Sequence, residues 1–166
     1  MRMVPGFIRT ICIRRLARLT ADAFGLPAPG VRGPAPAALD AYARFTAAEA
    51  ERALLPGPGA VAVRARLFSS ARHLGSRLRA GLLIRSPKRA AAVMRTLYQV
   101  IGVEFTSAHG GFMVTRCSFA CRYSPLVCGF ISSLDAGLYA GLSGGRVLEF
   151  RTRITEGASF CKGVLD

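Results

Sequence analysis

Met113-Val-Thr-Arg-Cys117-Ser-Phe-Ala-Cys121-Arg-Tyr-Ser-Pro125-Leu-Val-Cys128 is the stretch in which the chain changes period. Before it, Val103-Glu-Phe105-Thr-Ser-Ala reads as a strand, His109-Gly-Gly111 as a turn, and Phe112 to Cys117 as a second strand, together a hairpin. After it, Pro125 opens a helix in which Leu126, Phe130, Ile131, Leu134, Leu138 and Leu142 recur at helical spacing, and Ser143-Gly-Gly145 stops it. Val147 to Thr155 then alternates. Val147, Glu149, Arg151 and Arg153 fall on one face; Leu148, Phe150, Thr152 and Ile154 fall on the other. Glu156-Gly157 turns the chain into a last strand over 158–164.

Upstream, the pattern is helical. Residues 4–24 form an amphipathic helix with Val4, Ile8, Ile11, Leu16 and Leu19 on its apolar side and Arg9, Arg14, Arg15 and Arg18 mostly elsewhere. Residues 25–36, GLPAPGVRGPAP, read as a linker. Helices follow over 37–55, 60–85 and 87–100, punctuated by Pro56-Gly-Pro-Gly59 and by a capping Ser86 with Pro87 at the first helical position. The fold class is therefore α+β: a helical N-terminal half packed on a small antiparallel sheet made of two hairpins flanking a helix. Residues 1–36 form a basic helix and linker, and 37–166 a single α+β domain with a Cys-bearing C-terminal half.

Charge is unevenly placed. Residues 1–100 carry 17 Lys+Arg against 4 Asp+Glu, and residues 101–166 carry 6 against 5. Such a basic half suits an anionic partner. No aromatic-basic interleaving or recognition helix accompanies it, so nucleic acid is not the expected partner, and a basic nucleic-acid or anionic-membrane binder ranks third among the functions. The N-terminal helix reads as docked on its own domain, with a membrane surface as the alternative. No segment reaches the roughly 20 apolar residues of a membrane span. The five cysteines do not follow a disulfide scaffold, which points to reduced thiols and a cytoplasmic location.

Four of those cysteines lie after residue 110. Cys117 ends a strand, Cys128 falls early in a helix and Cys161 lies in the last strand, so three elements can bring three thiols together if the hairpins pair. Three thiolates suit zinc, although the spacings match no zinc ribbon. A thiol of lowered pKa beside Arg116, Arg122 or the helix start would be a nucleophile. A small buried thiol also simply packs, as Cys12 is expected to do. Asp135, two turns from Cys128, shares its helix face; it either faces a site or lies on the wet side near Ser132. His73 reads as a surface or boundary residue. The chain contains no Ser-His-Asp order, P-loop or HExxH.

Val114-Thr-Arg-Cys117, Cys128 at a helix start, Asp135 within that helix, and Glu156-Gly157 followed by Cys161 resemble the L-2-amino-thiazoline-4-carboxylic acid hydrolase family over roughly residues 90–166. The resemblance implies a short α+β protein with a Cys-bearing sheet end, and a hydrolase opening a C–N bond in a small cyclic amidine or amide carboxylic acid. It implies Cys117, Cys128, Asp135 and Cys161 as catalytic residues, with Arg116 and Glu156 toward the substrate. Zinc held by Cys117, Cys128 and Cys161 would be an alternative activator of water. The vinyl-reductase-like domain has a similar look and implies a non-enzymatic small-molecule-binding module instead. Cys121 and the Arg-rich N-terminal region depart from the hydrolase pattern.

Overall fold

The computed structural model describes residues 4–56, 59–108 and 110–166. His109 at the expected hairpin tip, and Gly57 and Pro58 of the expected helix stop, lie outside the described residues. The helices are α1 (Gly6–Phe24), α2 (Ala35–Ala53), α3 (Gly59–Gly81), α4 (Pro87–Val100) and α5 (Pro125–Ser143). The strands are β1 (Val103–Ala108), β2 (Gly111–Cys117), β3 (Leu148–Thr152) and β4 (Cys161–Leu165), with a 3-10 turn at Ile154–Glu156. The α+β class holds.

Local chemistry accounts for the element ends. Ser86 and Ser124 cap α4 and α5, their hydroxyls accepting from Arg89 N at 3.3 Å and Val127 N at 3.2 Å, each followed by Pro. Gly144, at φ 87°, ends α5 in the left-handed conformation that a side chain would resist. Much of the N-terminal arginine is structural. Arg9 Nε donates to Val100 O at the end of α4 (3.0 Å), Arg66 Nε to Ala23 O near the end of α1 (2.7 Å), and Arg14 Nε to Val31 O (3.0 Å). Carbonyls in the last turn of a helix lack intrahelical partners and carry partial negative charge, so guanidinium groups fit there.

The sheet order is β1-β2-β4-β3, antiparallel throughout, so the two hairpins join through β2 and β4. One face is covered and one is wet. The covered face carries Phe105, Phe112, Val114, Leu148, Phe150, Cys161 and Leu165. Gly163 makes room on it: a Cβ there would lie 2.5 Å from the Phe112 ring, which packs edge-on against Phe150 at 4.9 Å between centroids. Ile13 and Ala17 of α1, Tyr42 of α2, and Met94 and Tyr98 of α4 share this core. A second cluster joins Leu67 of α3 to Val127, Phe130, Ile131 and Leu134 of α5.

α3 and α5 approach nearly backbone to backbone. A Cβ on Gly137 would sit 2.2 Å from Phe68 O, and one on Gly141 2.2 Å from Arg72 O. Contrary to the expectation that no segment could span a membrane, α5 is long and apolar enough to do so; in this fold it is the central helix, buried against α3 and the sheet.

Two β-bulges correct the expected alternation. Glu104 pairs with Arg116 but Phe105 pairs with Val114, so Thr115 is an extra residue in β2. Phe150 pairs with Gly163 but Thr152 pairs with Lys162, so Arg151 is an extra residue in β3. Each bulge sends two successive side chains to solvent and turns the next one inward. Thr115 and Arg116 are exposed and Cys117 is half-buried; Arg151 and Thr152 are exposed and Arg153 is half-buried. Strict alternation had placed Arg153 with the solvent-facing residues and Thr152 with Phe150.

Candidate functional site

Both bulges lie at one end of the sheet, where β4 begins with Cys161. The α5 helix crosses there and presents Cys128, Ser132 and Asp135 at i, i+4 and i+7, which is one helix face. Tyr98, near the end of α4, completes the group. Cys117, Cys128, Cys161 and Asp135 are close enough that negative charge on the others raises the Cys117 pKa. Cys117 of β2, Cys128 of α5 and Cys161 of β4 thus lie within reach of one another's charge.

The electrostatics are those of a partly dry site. Burial pushes the Asp135 carboxyl up to about 6, while the Tyr98 hydroxyl and the Arg153 guanidinium act in the opposite sense. Asp135 therefore faces the site and not the wet side of α5. Burial also pushes the Cys117 thiol up to about 11, against the Phe119 N–H, which favours its thiolate. Cys161 is raised by burial as well, but two groups favour its thiolate: the Ile154 N–H, 3.4 Å from its sulfur, and Arg153. Burial holds Tyr42, Tyr98 and Tyr123 protonated, each further raised by the Asp135 charge. Tyr42 accepts or donates with Thr20 at 3.1 Å, and Tyr123 with Thr46, so two of the three rings are anchored to α1 and α2.

Arg153 is the residue that the alternation concealed. Its guanidinium carbon lies 4.8 Å over the Phe150 ring, its Nη2 approaches Ser132 Oγ at 3.5 Å, and its Nη1 is 3.8 Å from Glu156. Its Nε is buried and unpartnered among the described residues, as is Thr155 Oγ1. A buried donor of this kind costs free energy unless an acceptor arrives.

Several expected site residues are elsewhere. Arg116 is on the wet face, 79% exposed and 3.9 Å from Glu104, because the β2 bulge turned it out. Arg122 pairs with Asp40 of α2. Glu156 is exposed at the rim and holds Arg153; its own negative charge would repel an acidic ligand. Cys121 is exposed in the connection and does not join the group. As for zinc, no set of three or more His, Cys, Asp or Glu among the described residues is close enough to hold a metal ion, so the thiols do not fit a shared metal here. Cavities of about 430 and 510 Å³ lie apart from this group, along α3. Comparison with protein-family models, curated proteins and solved structures finds no match for this chain.

Proposed function

We propose that the protein binds a small carboxylate-bearing molecule between α5 and the bulged end of the sheet and hydrolyses a C–N bond in it, the substrate being a cyclic amidine or amide. The observation that carries this proposal is Arg153: a half-buried guanidinium with a free Nε, beside a carboxylate and a thiol. Arginine binds carboxylate in a fixed fork, which would place the rest of the substrate against Cys161 and Asp135.

The residues then divide the chemistry. Asp135, with a pKa near 6, is mostly ionised at neutral pH and takes the Cys161 proton. The Cys161 sulfur forms a bond to the amidine carbon, the C–N bond breaks, and Asp135 returns the proton to the departing nitrogen. Water attacks the same carbon and releases the thiol. Cys117, held protonated, and Tyr98 supply hydrogen-bond donors to the polar atoms of the substrate.

The experiment is direct. The purified protein is incubated with L-2-amino-thiazoline-4-carboxylate and related cyclic amidines and products are followed by mass spectrometry. Turnover that Cys161→Ala abolishes supports the proposal; turnover unchanged in Cys161→Ala and Asp135→Asn rejects it. One observation favours a second function, a non-catalytic ligand-binding module: burial raises the Cys161 thiol as well as that of Cys117, which disfavours a thiolate nucleophile at either position. Recovery of a bound carboxylate unchanged after long incubation would select that alternative.

A further inference from the structure

The turn between α3 and α4 carries a second surface with features of its own. The α3 helix ends at Gly81, yet the left-handed position of its C-terminal turn is occupied by Leu83, at φ 50°. Ile84 N bonds back to Arg79 O at 2.9 Å and Leu83 N to Ala80 O at 3.2 Å, and the Ile84 side chain is buried. This is the arrangement in which glycine is the usual left-handed residue, because a bulky L-residue meets its own carbonyl there. Packing within the chain does not compensate, since Leu83 is 64% exposed and Leu82 is 46% exposed. A strained residue that holds a large apolar side chain in water points to a use for that side chain outside the fold.

Beside it lies a groove of about 430 Å³ lined by Arg72, Ser76, Arg79, Leu83, Arg85 and the Gly144 turn. No acidic residue lines it, and none of the three arginines enters an ion pair among the described residues. The Arg79 guanidinium lies against Gly144, where a Cβ would come within 2.7 Å of it. The ends of α3 and α5 each supply roughly half a negative charge, so about two of the three positive charges stay uncompensated by protein. Three exposed guanidinium groups around one groove, of which Arg79 Nε donates to Ile84 O at 3.4 Å, favour a phosphoryl oxyanion, and the exposed Leu83 lining it, with its exposed neighbour Leu82, favours a ligand that is apolar on one side.

We infer that this corner of the molecule docks on an anionic phospholipid surface, with the headgroup phosphate in the Arg72–Arg79–Arg85 groove and Leu82 and Leu83 in the bilayer interface. It is separate from the thiol site.

The test uses the full chain and vesicles of phosphatidylcholine alone or with 30 mol% phosphatidylglycerol, about that fraction being enough to give a cytoplasmic-type surface potential. The protein is expected to sediment with the anionic vesicles only, less so as salt rises. Arg72→Gln with Arg85→Gln should weaken binding roughly 30-fold. Arg116→Gln with Arg151→Gln, which removes the same charge from the wet face of the sheet, should change it less than about 3-fold. Leu83→Gly is the sharpest variant: it should weaken vesicle binding roughly 5-fold with no change in charge, while raising the melting temperature by relieving the turn. Equal losses in the two double variants would show diffuse charge attraction and overturn the inference. So would a Leu83→Gly protein of undiminished vesicle affinity, or binding of free glycerol phosphate without binding of anionic vesicles.

Discussion

The amide N–H of Ile154 points at the Cys161 sulfur from 3.4 Å, across the gap where β3 has left the sheet. That contact depends on the β3 bulge, which brings Arg153 and Ile154 round to the start of β4. The same displacement sets Arg153 beside Asp135 and Cys161, so one extra residue assembles a donor, a cation and a thiol.

Thiol chemistry should separate the cysteines. Cys121 is exposed and should label first with a maleimide at neutral pH. Cys117 should stay nearly silent, its rate still rising toward pH 11, because only the thiolate reacts. Site-resolved mass spectrometry of labelling against pH checks both; fast neutral labelling of Cys117 would contradict its burial.

Asp135 couples activity to stability with opposite signs. Its folded pKa lies above its unfolded value, so the folded state holds a proton that the unfolded state has lost between about pH 4 and 6. Stability from this group is therefore fully present below about pH 4 and is lost as pH rises to 6, by up to about 3 kcal/mol. Asp135→Asn should raise the melting temperature at pH 7 and flatten that limb. The same variant should lower turnover by roughly 10²- to 10⁴-fold and remove an acid limb near pH 6 from the rate profile.

Arg153→Gln should raise the KM or Kd for a carboxylate ligand roughly 10- to 100-fold, the worth of a charge-assisted hydrogen bond. Arg116→Gln should leave it unchanged, because that side chain is 79% exposed on the other face. Calorimetric titration of both variants distinguishes them, and equal losses would place the anchor elsewhere.

The α3–α5 seam should tolerate no methyl group. Gly137→Ala and Gly141→Ala put a Cβ 2.2 Å from a carbonyl oxygen of the facing helix, and each should destabilise by about 2 kcal/mol or more. Gly129→Ala, in the same helix with nothing within 4 Å, should instead stabilise by up to about 1 kcal/mol from helix propensity. Urea unfolding of the three variants gives the comparison.

How far the sequence reached is clearest at the strands. Helix starts at Pro87 and Pro125, the Ser86 cap, the stop at Gly144 and both hairpins were legible, because caps, turns and the helical period act over a few residues. The thiols were legible as candidates for the same reason: Cys117 and Cys161 sit at strand ends and Cys128 in the first turn of α5, whereas Asp135, in mid-helix, was legible only through its two-turn spacing from Cys128. Arg153 was not, and Arg116 was assigned in its place. Period-2 alternation assumes an unbroken ladder, and each bulge reverses every side chain beyond it.

The sequence by itself determined the elements and their order, since these depend on interactions along the chain, while α3, β3 and β4 end or begin several residues from where the pattern put them. Tertiary structure alone decided which strand gains an extra residue, and so which arginine enters the site. It also decided the pKa of Asp135, since burial by α4, α5 and the sheet comes from residues distant in the chain. Strand register and desolvation are set by the partner an element meets, and that partner is chosen only when the whole chain packs.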